Sequence, residues 1–221
     1  MFGDYRDNLY FLHRLLNPNV YLEVGVANGA SLALVNNGVS AYGVDPKPTI
    51  TATLKPGTVI YQRTSDDFFS QNAKEIFENK KIDFAFIDGM HLFEYALRDF
   101  INIEKYCTNK SIIAIHDIYP KCKVTSARNR ITRFWTGDVY KIVLALKKYR
   151  PDLKFYNSDI PPAGLAIIGN LNPNSDILEK NYNKIINEFM NFEYEALINN
   201  KRETLSIMPD SGYKEFVQTL L

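Results

Sequence analysis

Apolar and polar positions along the chain alternate between two patterns. Short apolar runs occupy residues 19–24 (NVYLEV), 40–44 (SAYGV), 58–62 (TVIYQ), 82–87 (IDFAFI) and 111–115 (SIIAI). Their length and β-branched content predict strands. The stretches between them have helical spacing. The clearest lies within Lys81 to Phe100, where the strand halts at Asp88-Gly89 and Phe93, Ala96, Leu97, Phe100 and Ile101 then recur on one helix face. Residues 5–16 read as an amphipathic helix stopped by Asn17-Pro18, and Leu32–Val35 as a helix leaving the turn after the first strand. Thr64 or Ser65 can cap another helix, because a hydroxyl accepts from its free amides and Asp66 and Asp67 suit its positive end. Asp138–Tyr149 reads as helix, and Leu153–Tyr156 and Ala163–Ile168 as strands joined through Pro161-Pro162.

Strands alternating with helices predict an α/β fold. The expectation is a Rossmann-like, doubly wound, mostly parallel seven-stranded sheet with helices on both faces. The last two strands have no helix between them, so one of them is expected to be antiparallel. Beyond Gly169, Leu178, Tyr182, Ile185, Ile186, Phe189 and Met190 fall on one face of a single helix, with Asn and Lys on the other. The chain thus divides into a domain over 1–171 and a helical extension over 172–221. The extension is expected to pack on the domain or to form a homodimer contact.

Composition narrows the function classes. A 46% hydrophobic content with 13% aromatics in 221 residues is enough for a sizeable core. Lys+Arg 26 against Asp+Glu 25 gives no overall pull toward nucleic acid or membrane. The amino terminus carries early acids and no small-residue cleavage site, so a signal peptide is not expected. Cys107 and Cys122 show neither a disulfide framework nor zinc spacing, which suits a reduced, cytoplasmic compartment.

Polar residues at the strand ends carry the candidate chemistry. Glu23-x-Gly25-x-x-x-Gly29 lies between a strand and a helix, where glycines permit a tight turn and close approach of a ligand. Ala27 and Ala30 depart from dinucleotide-binding spacing, and an ordinary turn explains the motif alone equally well. Asp45, about 20 residues beyond the turn, is placed to accept from the hydroxyls of a ribose.

Taken in order, the ExGxxxG turn, Asp45, Thr64-Ser65-Asp66-Asp67, FIDGMHLFEY and IHDI resemble a class I S-adenosylmethionine-dependent methyltransferase. More narrowly, they resemble the small-molecule and sugar O-methyltransferases with Ile-Asp-Gly-x-His and His-Asp motifs, over residues 19–169. The resemblance implies S-adenosylmethionine as cofactor. It sets Glu23, Gly25 and Ser31 along the methionine part, with Ala27, Asn28 and Gly29 in the same turn, Asp45 on the ribose, and Ser65 and Asp66 beside the adenine. Asp88 is expected to reach the cofactor as well. Ala27 stands where the usual motif has a middle glycine, a side chain that catechol-type enzymes tolerate.

The reaction itself asks for more. A neutral alcohol is a poor nucleophile, so it must lose its proton to a base or have its pKa lowered by a cation. Asp88 and Asp117 end what should be adjacent parallel strands, and their carboxylates are expected to converge as ligands of a divalent cation such as Mg²⁺. His91, three residues after Asp88, is the expected base, with Asp88 beside it in the catalytic set. His116 is expected as a third ligand or as a residue that orients Asp117. Ile118 departs from catechol-type enzymes, which carry an amide ligand there.

The loop from Ile118 to Thr136 holds Lys121, Lys123, Arg128, Arg130 and Arg133 and no acid. A solvated loop is the simpler expectation, and recognition of an anionic acceptor such as a nucleotide-sugar is the sharper one. The activity implied is methylation of a hydroxyl on a small molecule or sugar. The rivals are a nucleotide-binding oxidoreductase or sugar-modifying enzyme, which the glycine spacing disfavours, and a non-catalytic cofactor-binding partner subunit.

Overall fold

The computed structural model describes residues 3–220. Helix α1 (Tyr5–Leu16) opens the chain, started by a capping box in which Asp4 accepts from the Arg6 amide. Seven strands follow: β1 (Val20–Val24), β2 (Ser40–Val44), β3 (Val59–Tyr61), β4 (Ile82–Ile87), β5 (Cys107–His116), β6 (Lys154–Ser158) and β7 (Leu165–Gly169). They form one sheet in the order β3-β2-β1-β4-β5-β7-β6. The pairs among β1 to β5 are parallel, while β7 runs antiparallel to both β5 and β6. β1 is buried along its whole length, as expected of a central strand covered on both faces.

Alternation along the strands sorts the core into two layers. Val20, Leu22, Val24, Ala85, Ile87, Ile113 and Ile115 face helices α2 (Ser65–Gln71), α3 (Ala73–Phe77), α4 (Phe93–Glu104) and α5 (Lys141–Tyr149). Tyr21, Phe84, Phe86, Ile112 and Ala114 face the opposite layer, which contains Leu9 and Leu12 of α1.

Three expectations about elements need correction. Leu32–Val35 does not become an α-helix. Only a 3₁₀ turn forms over Leu32–Leu34, because Asn36-Asn37-Gly38, with Gly38 at φ +83°, ends it within one turn. Leu32 and Val35 are nonetheless buried, and α1 covers the face that a longer helix would occupy. The expected single helix over 178–190 is two, α6 (Ile177–Lys180) and α7 (Tyr182–Phe189), interrupted at Asn181. α5 starts at Lys141 rather than Asp138, whose carboxylate is used elsewhere.

Residues 172–220 wrap the β6 edge of the sheet. Leu178, Ile185, Phe189, Leu197 and Leu205 join the first core layer. Ile207 then makes a parallel bridge beside Asn157 of β6, after helix α8 (Lys201–Thr204). Helix α9 (Tyr213–Gln218) places Tyr213 and Val217 in the second layer. This path covers an otherwise open strand edge. Among the described residues, no helix is long and apolar enough to cross a membrane.

Candidate active site

The carboxyl ends of β1, β2 and β4 meet where strand order reverses, the usual ligand position in an open α/β sheet. Gly25 permits their approach. It has φ +89°, and a Cβ there would lie 2.0 Å from the Asp88 carbonyl oxygen. The Gly25 amide donates to Val44 O and the Asp88 amide to Val24 O, both at 2.8 Å, locking the three strand ends together.

A cleft of about 660 Å³ opens over this junction. Gly25, Ala27, Asn28 and Ser31 line it on one side, Asp45, Ser65 and Asp66 on another, and Asp88 and His91 at its inner end. Glu23 and Gly29 do not line it. Glu23 is fully buried and holds the turn from beneath, accepting from Ser31 Oγ at 2.6 Å and Tyr21 Oη at 2.7 Å. Burial lifts its carboxyl to about 8 against the opposing effect of those two hydrogen bonds. Asp45 accepts from the Val26 and Ala27 amides through Oδ2, at 3.0 and 2.8 Å, and from the Lys47 amide through Oδ1. It therefore shapes the turn as well as facing the cleft. Asp66 is gripped by Arg98 at 3.0 and 2.8 Å.

Asp88 and His91 also line a small adjoining pocket with His116 and Asp117, where Asp88, His116 and Asp117 bring one ligand atom each to within 4.8 Å of one another. His116 Nδ1 lies 3.2 Å from Asp88 Oδ1 and 3.4 Å from Asp117 Oδ1. His91 Nδ1 donates to the Trp135 carbonyl at 2.9 Å and also lies 2.8 Å from Asp117 Oδ2, while its Nε2 is 3.5 Å from Asp88 Oδ1. Asp117 Oδ2 is buried with His91 Nδ1 against it, and His116 Nε2 is buried with no hydrogen-bond partner among the described residues. His91 and Asp117 both sit in left-handed backbone, at φ +58° and +63°. Such local strain in non-glycine residues often collects at functional sites.

Electrostatics ties these groups together. Burial lowers the proton affinity of His91, but Asp117 and Asp88 outweigh it and raise its pKa to about 9. His116 is raised too, by the same two carboxylates acting against burial. Burial alone would raise Asp88, but His116 and His91 bring it below the ordinary carboxylate range. Burial pushes Asp117 up.

Several site residues were not singled out from sequence. Tyr5 of α1 lines the cleft and lies over His116 with 4.1 Å between ring centres. Asp99 of α4 lines it as well, almost fully buried, with no hydrogen-bond partner for Oδ1 among the described residues and its carboxyl raised by burial to about 7. Asp138 accepts from the Phe93 amide at 2.9 Å and so caps α4, whose own N-cap Leu92 cannot. Gly137, at φ +54°, packs so closely on His91 that a Cβ would lie 1.7 Å from the His91 carbonyl oxygen. Only Asp99 left a trace in the sequence, as an acid beside the apolar face of its helix.

The basic loop is divided. Arg128 donates to Glu94 at 2.5 and 2.9 Å and to Asp138 at 2.8 Å, so its charge is already paired. Lys123 pairs with Glu195. Arg130 and Trp135 line the cleft.

Residues 22–118 match the family model described as a methyltransferase domain. That match spans 97 of the 221 residues, and the sheet order is that of the Rossmann-like methyltransferase fold. Among solved structures, it is similar to a putative caffeoyl-CoA O-methyltransferase from Staphylococcus aureus, at 20% identity and TM-score 0.57 over 75% of this chain and 82% of that one. It is also similar to an O-methyltransferase from Bacillus cereus solved with S-adenosylhomocysteine, at 13% identity and TM-score 0.54 over 75% and 80%. A Streptomyces achromogenes O-methyltransferase of tomaymycin synthesis, solved with S-adenosylmethionine, is similar at 12% and 0.56 over 75% and 78%. At these identities the likeness is one of fold. A comparison with curated proteins returns no match.

Proposed function

We propose that the protein is an S-adenosylmethionine-dependent O-methyltransferase that acts on a hydroxyl of a small molecule or sugar and uses a divalent cation, Mg²⁺ being the expected one. The observation that carries this reading is the cluster of Asp88, His116 and Asp117, with His91 against it, which adjoins through Asp88 and His91 a cleft large enough for a nucleoside cofactor. The cofactors bound in the Bacillus and Streptomyces neighbours support the choice of methyl donor.

The residues suit both absent groups. Gly25, Ala27, Asn28 and Ser31 would face the amino-acid end of the cofactor, Asp45 its ribose, and Ser65 and Asp66 its base. Asp88 and Asp117 offer hard oxygen ligands within 4.8 Å of a His116 nitrogen, a donor set that suits a small divalent cation. His116 Nδ1 would complete the set. When bound, the cation would lower the pKa of the acceptor hydroxyl. The cofactor would supply an electrophilic methyl: an S–CH₃ bond breaks, an O–CH₃ bond forms, and S-adenosylhomocysteine leaves.

His91 has the remaining role. The Trp135 carbonyl takes the proton on Nδ1, which leaves Nε2 as the atom to receive the hydroxyl proton. Against burial, Asp117 and Asp88 raise the His91 pKa to about 9, and a cation held by the same carboxylates would lower it.

The test is calorimetric titration with S-adenosylhomocysteine in Mg²⁺ and again in EDTA, followed by a methyl-transfer assay over a panel of hydroxylated acceptors. Binding in both titrations, with turnover in Mg²⁺ alone, is expected. Absence of binding in both would overturn the assignment.

A further inference from the structure

We propose that the acceptor carries an oxyanion group, phosphate or carboxylate, which Arg130 binds at the mouth of the cleft while Trp135 supports the ring that bears the reacting hydroxyl. This rests on the methyltransferase reading and adds the class of acceptor.

The basic loop disposes of its charge unequally. Arg128 is neutralised by Glu94 and Asp138, and Lys123 by Glu195. Lys121, over the Phe134 ring, and Arg133 have no carboxylate partner among the described residues, but neither lines the cleft. Among the described residues, Arg130 has no carboxylate partner. Its one hydrogen bond runs from Nη2 to the Arg133 carbonyl of the same loop, at a long 3.3 Å. The guanidinium lies 5.9 Å from the centre of the Trp135 ring, and both residues line the cleft. A guanidinium held beside an aromatic face is ready for a planar or phosphate oxyanion at little further ordering cost.

Trp135 connects that cation to the chemistry. Its indole is parallel to the His91 imidazole, with 8° between planes and 5.3 Å between centres. Its Nε1 is tied to the Ala127 carbonyl at 2.6 Å, which fixes the ring in place. The cleft carries acids along its lining, Asp45, Asp66, Asp99 and, beside the proposed base, Asp88; against them stands one guanidinium, Arg130. An acceptor with a hydroxyl at one end and an anionic group at the other matches both the base and Arg130, whereas a neutral acceptor leaves the Arg130 charge unused.

Trp135 is the only tryptophan in the chain, so its fluorescence reports on this surface alone. With S-adenosylhomocysteine saturating, the protein is titrated with two matched pairs: UDP against uridine, and 3,4-dihydroxybenzoate against catechol. The anionic member of at least one pair should bind about tenfold or more tightly than its neutral partner, the size of one charge-assisted contact. The pair that shows the preference identifies phosphate or carboxylate. Arg130→Ala should abolish the preference, and Lys123→Ala should retain it. Equal affinity within both pairs, or a preference unchanged in Arg130→Ala, would overturn the proposal. S-adenosylhomocysteine affinity, measured on the same samples by calorimetry, separates the two readings. If it is intact, only the acceptor class has failed; if it is absent from the unsubstituted protein, the methyltransferase reading has failed.

Discussion

The His91 imidazole donates through Nδ1 to the Trp135 backbone carbonyl at 2.9 Å, while Gly137 closes against the His91 backbone from the other side. The proposed base is therefore oriented by a loop that begins after β5 and lies far from it in sequence. Because the hydrogen bond comes from the backbone, side-chain changes at Trp135 should preserve the His91 tautomer. His91→Asn should lower turnover by roughly 10²–10⁴-fold, the usual worth of a general base, with S-adenosylhomocysteine affinity unchanged. Trp135→Phe should lose far less. Steady-state kinetics beside calorimetry will check this, and equal losses in the two variants would remove His91 from the base role.

Metal binding can be measured without turnover. Asp117→Asn and Asp88→Asn should each weaken Mn²⁺ binding, followed by the paramagnetic resonance of the free ion, because each removes a hard anionic oxygen. Arg128→Ala should leave the metal affinity unchanged, since that side chain pairs with Glu94 and Asp138 instead. Full Mn²⁺ binding in Asp117→Asn would exclude this cluster as the site.

Three glycines with positive φ test close approach against conformation alone. A Cβ on Gly25 or Gly137 would collide with backbone, at 2.0 Å from Asp88 O and 1.7 Å from His91 O, whereas Gly38 has nothing within 4 Å. Gly38→Ala should cost about 1–2 kcal/mol for left-handed backbone. Gly25→Ala and Gly137→Ala should cost roughly 3 kcal/mol or more, because backbone must move. Gly25→Ala should also lose cofactor binding. Chemical denaturation of the three variants will rank them.

Glu23 predicts a pH dependence of stability. Its carboxyl has a pKa of about 8 in the folded protein against an ordinary value of 4.5, so the native state holds a proton that the unfolded chain releases. Its stabilising contribution is complete below about 4.5 and is lost as pH rises to about 8. The loss is on the order of a few kcal/mol. Asp99 acts in the same direction, so the comparison must be with Glu23→Gln, whose denaturation midpoint should fall less between pH 5 and 8. Parallel pH profiles for the two proteins would show that Glu23 does not titrate there.

Removing residues 172–221 should prevent stable folding. Leu178, Ile185, Phe189, Leu197 and Leu205 are buried in the same layer as β1 and β4. At roughly 1.5–3 kcal/mol each, their loss is comparable with the whole stability of a domain, about 5–15 kcal/mol. A truncated chain that still unfolds cooperatively would show that the sheet domain is independent of this segment.

Local pattern was enough to place the seven strands, the acids at their ends and the glycine turn, because an apolar run and the polar residue that stops it are neighbours in sequence. Asp88, His91, His116 and Asp117 were legible for that reason, and the adjacency of β4 and β5 does bring them together. Other features depended on partners that no local pattern reveals. Glu23 turns away from the cleft because Tyr21 and Ser31 satisfy it. Arg128 is spent on Glu94 and Asp138, and α1 takes the face where a helix over Leu32–Val35 was expected. The sequence by itself determined the alternation of elements and the carboxylates and imidazoles that end them, since these follow from hydrophobic period and strand termination. Only the tertiary structure decided which charges remain uncompensated and which carboxylates reach the cleft, since both depend on packing between residues distant in the chain.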